Sequence, residues 1–226
     1  MDLLLVGSDQ LWNKRLTGGE DAVYEGRMFP HVRKAAWAVS AGDSMPGIEE
    51  IQRLTDHFEA ISVREQCLAE RIPQSTLLPD PTLLLRADQW KRLIHPVKGK
   101  YLLAYPLAYE DEVMETARRK AGELGCDLKV VYPYIKLGST WMQTASPEDF
   151  LSLVYAAEYV VTSSFHGAVF SLVFDRPHTF IHHGDPRFET LQSVHPAEAS
   201  ARAKQFLDGI IPPPSSGGES FSKAAW

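Results

Sequence analysis

Short apolar runs that end in polar or glycine-containing turns recur along the chain, at residues 3–6, 35–40, 60–63, 75–78, 101–105, 128–132, 159–162 and 178–181. Runs of this length bounded by turn residues predict buried β-strands. Between them, apolar residues fall at three- and four-residue spacing over 48–58, 65–71, 108–125, 147–157 and 165–174, which predicts amphipathic helices. Strands alternating with helices imply parallel sheets joined by right-handed crossovers, an α/β class. The alternation is interrupted at Ile94-His95-Pro96-Val97-Lys98-Gly99-Lys100, read as a linker between two small Rossmann-like lobes. The expected division is therefore a lobe over 1–94, a second over 95–195, and a poorly ordered tail over 196–226. In that tail, Ile210-Ile211-Pro212-Pro213-Pro214-Ser215-Ser216-Gly217-Gly218 has a composition that resists packing. No internal repeat or heptad is present.

Composition narrows the possibilities. The chain has 226 residues, 44% of them hydrophobic, enough for one large or two small packed cores. Its net charge of −6, with Lys and Arg scattered along the chain, excludes nucleic acid as the expected partner. Cys67 and Cys126 are isolated from each other and form no metal-type spacing, which suits a reducing compartment and reads as two buried thiols. The start, Met1-Asp2-Leu3-Leu4-Leu5-Val6-Gly7, lacks the basic region of a signal peptide, and no apolar run is long enough for a bilayer-spanning helix. The expected location is the cytoplasm.

Candidate chemistry gathers where predicted strands end. Thr162-Ser163-Ser164-Phe165-His166-Gly167 follows the run Tyr159-Val160-Val161 and opens a helix, so its hydroxyls and imidazole sit where a helix dipole and first-turn N–H groups favour an anion. The same residues also suit a plain N-cap with a packed histidine. In Gly7-Ser8-Asp9-Gln10-Leu11-Trp12-Asn13, the glycine permits a tight turn that presents polar groups to a ligand or simply packs the Trp. Ser62-Val63-Arg64-Glu65 places a guanidinium, a fork that matches carboxylate or phosphate, beside a Glu with which it can equally form a solvated surface pair. Leu78-Pro79-Asp80-Pro81-Thr82 is a rigid turn with a structural part for Asp80. His182 and His183 lack further ligands at convincing spacing and read as a solvated loop, so no metal is expected.

Taken in order, SDQLWN, SVRE, PDPTLLL with Trp90 soon after, and AEYVVTSSFHGAVFSLVFDRP resemble the polysaccharide pyruvyl transferase family over about residues 3–192. The resemblance implies two Rossmann-like lobes similar to B-type glycosyltransferases with the active site in the cleft between them. It also implies transfer of pyruvate from phosphoenolpyruvate onto two hydroxyls of a sugar as a cyclic ketal. Family members usually carry another strand and an Asn-x-Gly loop before the SDQxW segment. The chain therefore reads as an N-terminally shortened member or fragment with an incomplete first lobe.

That chemistry needs a proton for the methylene carbon of phosphoenolpyruvate, stabilisation of an oxocarbenium-like centre, and a site for phosphate. On the resemblance, His166 is the expected acid or base, or a donor to the phosphate, and Asp9 the group that binds or deprotonates the acceptor hydroxyl. Ser163, Ser164 and Gly167 are expected to bind the anion, with Arg64 as carboxylate or phosphate clamp and Arg187 in Gly184-Asp185-Pro186-Arg187-Phe188 as a further cation. Phosphoenolpyruvate is the donor substrate that the resemblance implies, and no cofactor is expected. The expected acceptor is a glycan or lipid-linked sugar, which would bring peripheral membrane contact with it. A nucleotide-sugar glycosyltransferase and a non-catalytic glycan-binding remnant are the alternatives allowed by the same architecture.

Overall fold

A computed structural model describes residues 2–132, 145–193 and 196–211. The chain divides into two compact units, Met1–Leu85 with Asp185–Trp226, and Arg86–Gly184.

The first unit begins with β1 (Leu3–Asp9). A one-turn α1 (Lys14–Thr17) follows, capped by Asn13, whose Oδ1 accepts from Arg15 N at 3.1 Å. After it come β2 (Arg33–Val39), α2 (Ile48–Thr55), β3 (Ala60–Val63), α3 (Gln66–Arg71) and β4 (Thr76–Leu77). These strands form one parallel sheet in the order β1-β2-β3-β4. Its core is Ala36, Val39, Ile61 and Val63 from the strands, packed against Ile51 and Leu54 of α2, Leu68 of α3, and Trp12. Ile51 and Leu54 lie three residues apart, so one face of α2 is buried while Glu49 and Gln52 face water. Each such aliphatic side chain stabilises the fold by about 1.5–3 kcal/mol.

The second unit begins with the short α4 (Ala87–Trp90). It continues through β5 (Tyr101–Tyr105), α5 (Glu110–Leu124), β6 (Asp127–Val130), α6 (Pro147–Ala156), β7 (Tyr159–Thr162), α7 (Phe165–Val173) and β8 (His178–Phe180). Its sheet is also parallel, in the order β6-β5-β7-β8. Helix starts follow local chemistry. Glu110, Asp111 and Glu112 meet the positive end of α5, and α6 opens with Pro147 behind a reciprocal Ser146–Asp149 capping box. The chain returns to the first unit with α8 (Pro186–Ser193) and α9 (Pro196–Ile210).

Two expected boundaries move. The stretch around 94–100 is no free linker: Ile94 and Val97 pack on the second core, and His95 N donates to Ser152 Oγ at 3.0 Å. Trp90 meets Phe170 edge-on at 5.1 Å, so the second unit starts at Arg86 and not at His95. It ends at Gly184, short of the expected 195. The tail expected from 196 is a helix as far as Ile210, with Ala199, Ala203 and Ile210 buried and Phe206 against Trp37 at 5.6 Å. The Pro- and Gly-rich residues 212–218 lie outside the described residues. Cys67 and Cys126 are half-buried, not fully buried as expected. No helix among the described residues is long and apolar enough to cross a membrane.

Gly7 is required by the pairing of β1 with β2. Its φ is +138°, and a Cβ there would lie 2.0 Å from the carbonyl oxygen of Trp37. Gly7→Ala is therefore expected to lower the unfolding free energy by about 2 kcal/mol or more, read as a reduced urea midpoint.

Candidate active site

In a parallel sheet every strand leaves by the same edge, so the loops after β1, β2, β3 and β4 gather there. Arg64 follows β3 and is only 2% exposed. Its Nη2 donates to Asp9 Oδ1 at 2.9 Å, and its Nη1 donates to Asp80 Oδ2. Asp80 is buried too; its Oδ1 accepts from Thr82 N at 2.9 Å and from Thr82 Oγ1 at 2.6 Å, capping a 3-10 turn over Pro81–Leu84. Asp9 closes the arrangement with a side chain that is 60% exposed, its backbone in the left-handed region at φ 67°. One guanidinium thus ties the ends of β1 and β3 to the turn after β4, and leaves one carboxylate facing water.

Glu65, next in sequence, is fully buried. Its Oε1 accepts from Ser40 Oγ and from Gly42 N, the latter at 3.1 Å. Burial pushes its carboxyl above the usual glutamate range, against the opposing pull of the Ser40 hydrogen bond and the Arg64 charge. The solvated Arg64–Glu65 surface pair that the sequence allowed does not form, because both side chains turn into the protein.

The second unit presents different groups at the corresponding edge. Thr162 Oγ1 donates to Tyr105 O at 2.8 Å and accepts from Ser164 N at 2.9 Å, which fixes the exit from β7. Ser164 is the N-cap of α7, its Oγ accepting from Gly167 N at 3.3 Å. A Cβ on Gly167 would lie 2.5 Å from Thr162 Oγ1, so only glycine lets this first turn seat on the strand end. Ser163 is committed within the protein: its Oγ accepts from Leu107 N at 3.0 Å and Ala108 N at 2.9 Å, and donates to Ala108 O at 2.5 Å. Tyr105 hydrogen-bonds Ser164, and burial raises its phenol above the usual range despite that bond. His166 is half-buried in the first turn of α7, its ring edge-on to Phe165 at 5.6 Å.

The structure therefore brings Asp9 and Arg64 together in the first unit and Ser163, Ser164, His166 and Gly167 together in the second. Arg187 lies at the start of α8, forked onto Asp185 with Nε to Oδ1 at 3.0 Å and Nη2 to Oδ2 at 2.5 Å. Neither arginine presents a guanidinium without a carboxylate of the protein on it. His183, read as part of a solvated loop, lies in the exposed turn after β8, with Nε2 2.7 Å from Glu112 Oε2 and its ring 4.4 Å from Tyr109. Among the described residues no group of three or more His, Cys, Asp or Glu is placed to hold a metal ion. Sequence reasoning missed Ser40 and Tyr105 as parts of these edges and read Glu65 only as a surface partner of Arg64. Their one available signal was position, since Ser40 and Tyr105 end apolar runs and Glu65 lies two residues past one.

Two parallel α/β units with polar loops at their carboxyl edges define a Rossmann-like protein similar to the B-type glycosyltransferases. A UDP-GlcNAc 2-epimerase from Methanocaldococcus jannaschii superposes with a TM-score of 0.51 at 14% identity, covering 92% of this chain and 70% of that one. MnaA from S. aureus, solved with UDP, gives 0.51 at 15% identity over 92% of this chain and 67% of that one. A Listeria monocytogenes protein described as a UDP-N-acetylglucosamine 2-epimerase gives 0.56 at 11% identity over 92% of this chain. The chain spans 66% of the length of that Listeria protein. At such identities the likeness is one of fold. Comparison with curated protein sequences gave no match. The family model for polysaccharide pyruvyl transferases matches residues 1–185, and the chain belongs to that family.

Two outcomes follow from the buried charges. Asp80→Ala leaves Arg64 buried with one of its two carboxylates gone, and is expected to cost about 3 kcal/mol of stability by urea unfolding. Glu65 binds its proton more tightly folded than unfolded, so its contribution is complete below the ordinary glutamate range and is lost as pH rises through the raised value. The difference in unfolding midpoint between wild type and Glu65→Gln should therefore shift against the wild type as pH rises across that window.

Proposed function

We propose that this chain moves pyruvate from phosphoenolpyruvate onto two hydroxyls of a sugar in a cell-surface polysaccharide or its precursor. The observation that carries the reading is the first turn of α7, where His166 stands beside a serine-capped helix start. That end of a helix attracts anions, and an imidazole beside it can deliver or accept a proton. In the reaction, a proton adds to the methylene carbon of phosphoenolpyruvate and the resulting centre at C2 is attacked by one sugar hydroxyl. Phosphate leaves, and the second hydroxyl closes the ketal. One hydroxyl proton replaces the proton placed on the methyl group, and the other leaves with phosphate.

His166 is assigned the proton transfer to carbon, and the start of α7 with Ser164 and Gly167 the phosphate or carboxylate of the donor. Ser163, bonded on three sides to the loop after β5, supports that turn from beneath. Arg64 and Arg187 each hold a carboxylate of the protein, so the donor anion is assigned to α7 and Arg64 is assigned the orientation of Asp9. Asp9, anchored at one oxygen and exposed, suits an acceptor hydroxyl that must lose its proton. A lipid-linked acceptor would place the protein at a membrane surface through its substrate.

Phosphate release from phosphoenolpyruvate with a candidate acceptor is the direct test. His166→Ala should lower turnover by about 10²–10⁴-fold with an unchanged unfolding midpoint. Phosphoenolpyruvate, and not UDP-GlcNAc, should raise the melting temperature; the reverse preference would overturn the reading in favour of a nucleotide-sugar enzyme.

A further inference from the structure

A fully buried carboxyl is costly, and a leucine of similar size would fill the same space at lower cost. Glu65 occupies such a position, with Oε2 meeting no hydrogen-bond partner among the described residues. What the carboxyl does supply is Oε1, the acceptor for both Ser40 Oγ and Gly42 N. Ser40 Oγ in turn accepts from Gly42 N at 3.1 Å, which closes a small ring of bonds across the loop after β2.

We propose that Glu65 is a positioning residue for Asp9, acting through Ser40 to hold the loop that follows β1; the assignment rests on Asp9 being the acceptor-side carboxylate. Ser40 is bonded to that loop through its backbone at both ends. Its N–H donates to Asp9 O at 2.9 Å, and its carbonyl accepts from Trp12 N at 3.1 Å. Inside the loop, Leu11 N donates to Asp9 O at 2.9 Å and Asn13 N to Gln10 O at 3.1 Å, so the segment moves as one turn. Arg64 meanwhile grips the Asp9 side chain at 2.9 Å. Two consecutive residues after β3 thus fix Asp9 from two directions, Arg64 at the carboxylate and Glu65, by way of Ser40, at the backbone. This accounts for a buried acid that packing alone does not require.

Amide hydrogen exchange on the whole protein tests this without relying on turnover. Glu65→Leu keeps the volume but removes the acceptor. Exchange at the Ser40, Gly42 and Trp12 amides should rise by about tenfold or more, with the amides of Val160 and Val161 in β7 unchanged. Glu65→Gln keeps Oε1 as an acceptor and should retain most of the protection. Equal exchange in Glu65→Leu and wild type, or loss of protection in Glu65→Gln as large as in Glu65→Leu, overturns the proposal. If Glu65→Leu does not fold, Ser40→Ala decides: faster exchange confined to the two loops supports the link, and unchanged exchange refutes it. In turnover, Glu65→Leu should lower kcat by about tenfold while leaving KM for phosphoenolpyruvate in place, the split expected when an acceptor-side group is displaced. A wild type that releases no phosphate from phosphoenolpyruvate would remove the pyruvyl-transfer reading, while the exchange data would still decide the part played by Glu65.

Discussion

A guanidinium taken out of water must be met by negative charge, and that requirement at Arg64 organises the carboxyl edge of the first sheet. An uncompensated buried charge costs several kcal/mol, so the chain around Arg64 is constrained to bring carboxylates to it. They come from Asp9 at the end of β1 and Asp80 after β4, and the turn Pro79-Asp80-Pro81-Thr82 is shaped to deliver one of them. The rigid turn and the left-handed backbone at Asp9 serve the same end. A position that could have bound a substrate anion is occupied by the protein's own acids, and what reaches water from the cluster is a carboxylate.

The second sheet meets the same geometric problem with neutral groups. Thr162, Ser163 and Ser164 satisfy the backbone where β7 gives way to α7, and Gly167 lets the helix approach the strand closely enough for Thr162 to take part. No charge is buried in that arrangement. Two similar parallel scaffolds therefore present different chemistry at their edges, an exposed acid on one and an uncharged, serine-capped helix start on the other. The difference lies in the loops, as is general for such folds.

Most strands were legible because each is a short apolar run bounded by turns, and 60–63, 101–105 and 159–162 coincide with β3, β5 and β7. The helix α9 was missed although Ala199, Ala203, Phe206 and Ile210 repeat at four-, three- and four-residue spacing. The Pro- and Gly-rich residues after it suggested a loose tail, and weakly apolar alanines do not announce the surface they will cover. The segment around His95 failed for the converse reason. Its Pro, Gly and Lys residues look like a linker, while the contacts that tie it down, to Ser152 and Asp149, come from more than fifty residues away.

The sequence alone determined the α/β alternation, the parallel sheets that follow from it, and the placement of the polar motifs at strand ends, because these depend on local periodicity and on residues adjacent in the chain. It also carried the family, through four motifs in a fixed order. Only the tertiary structure decided what the charged residues do. Whether Arg64 and Glu65 point to water or into the core depends on Asp80 and Ser40, which no local pattern connects to them. The burial of a charge is settled by all its partners at once, and those partners are assembled only when the strands pair.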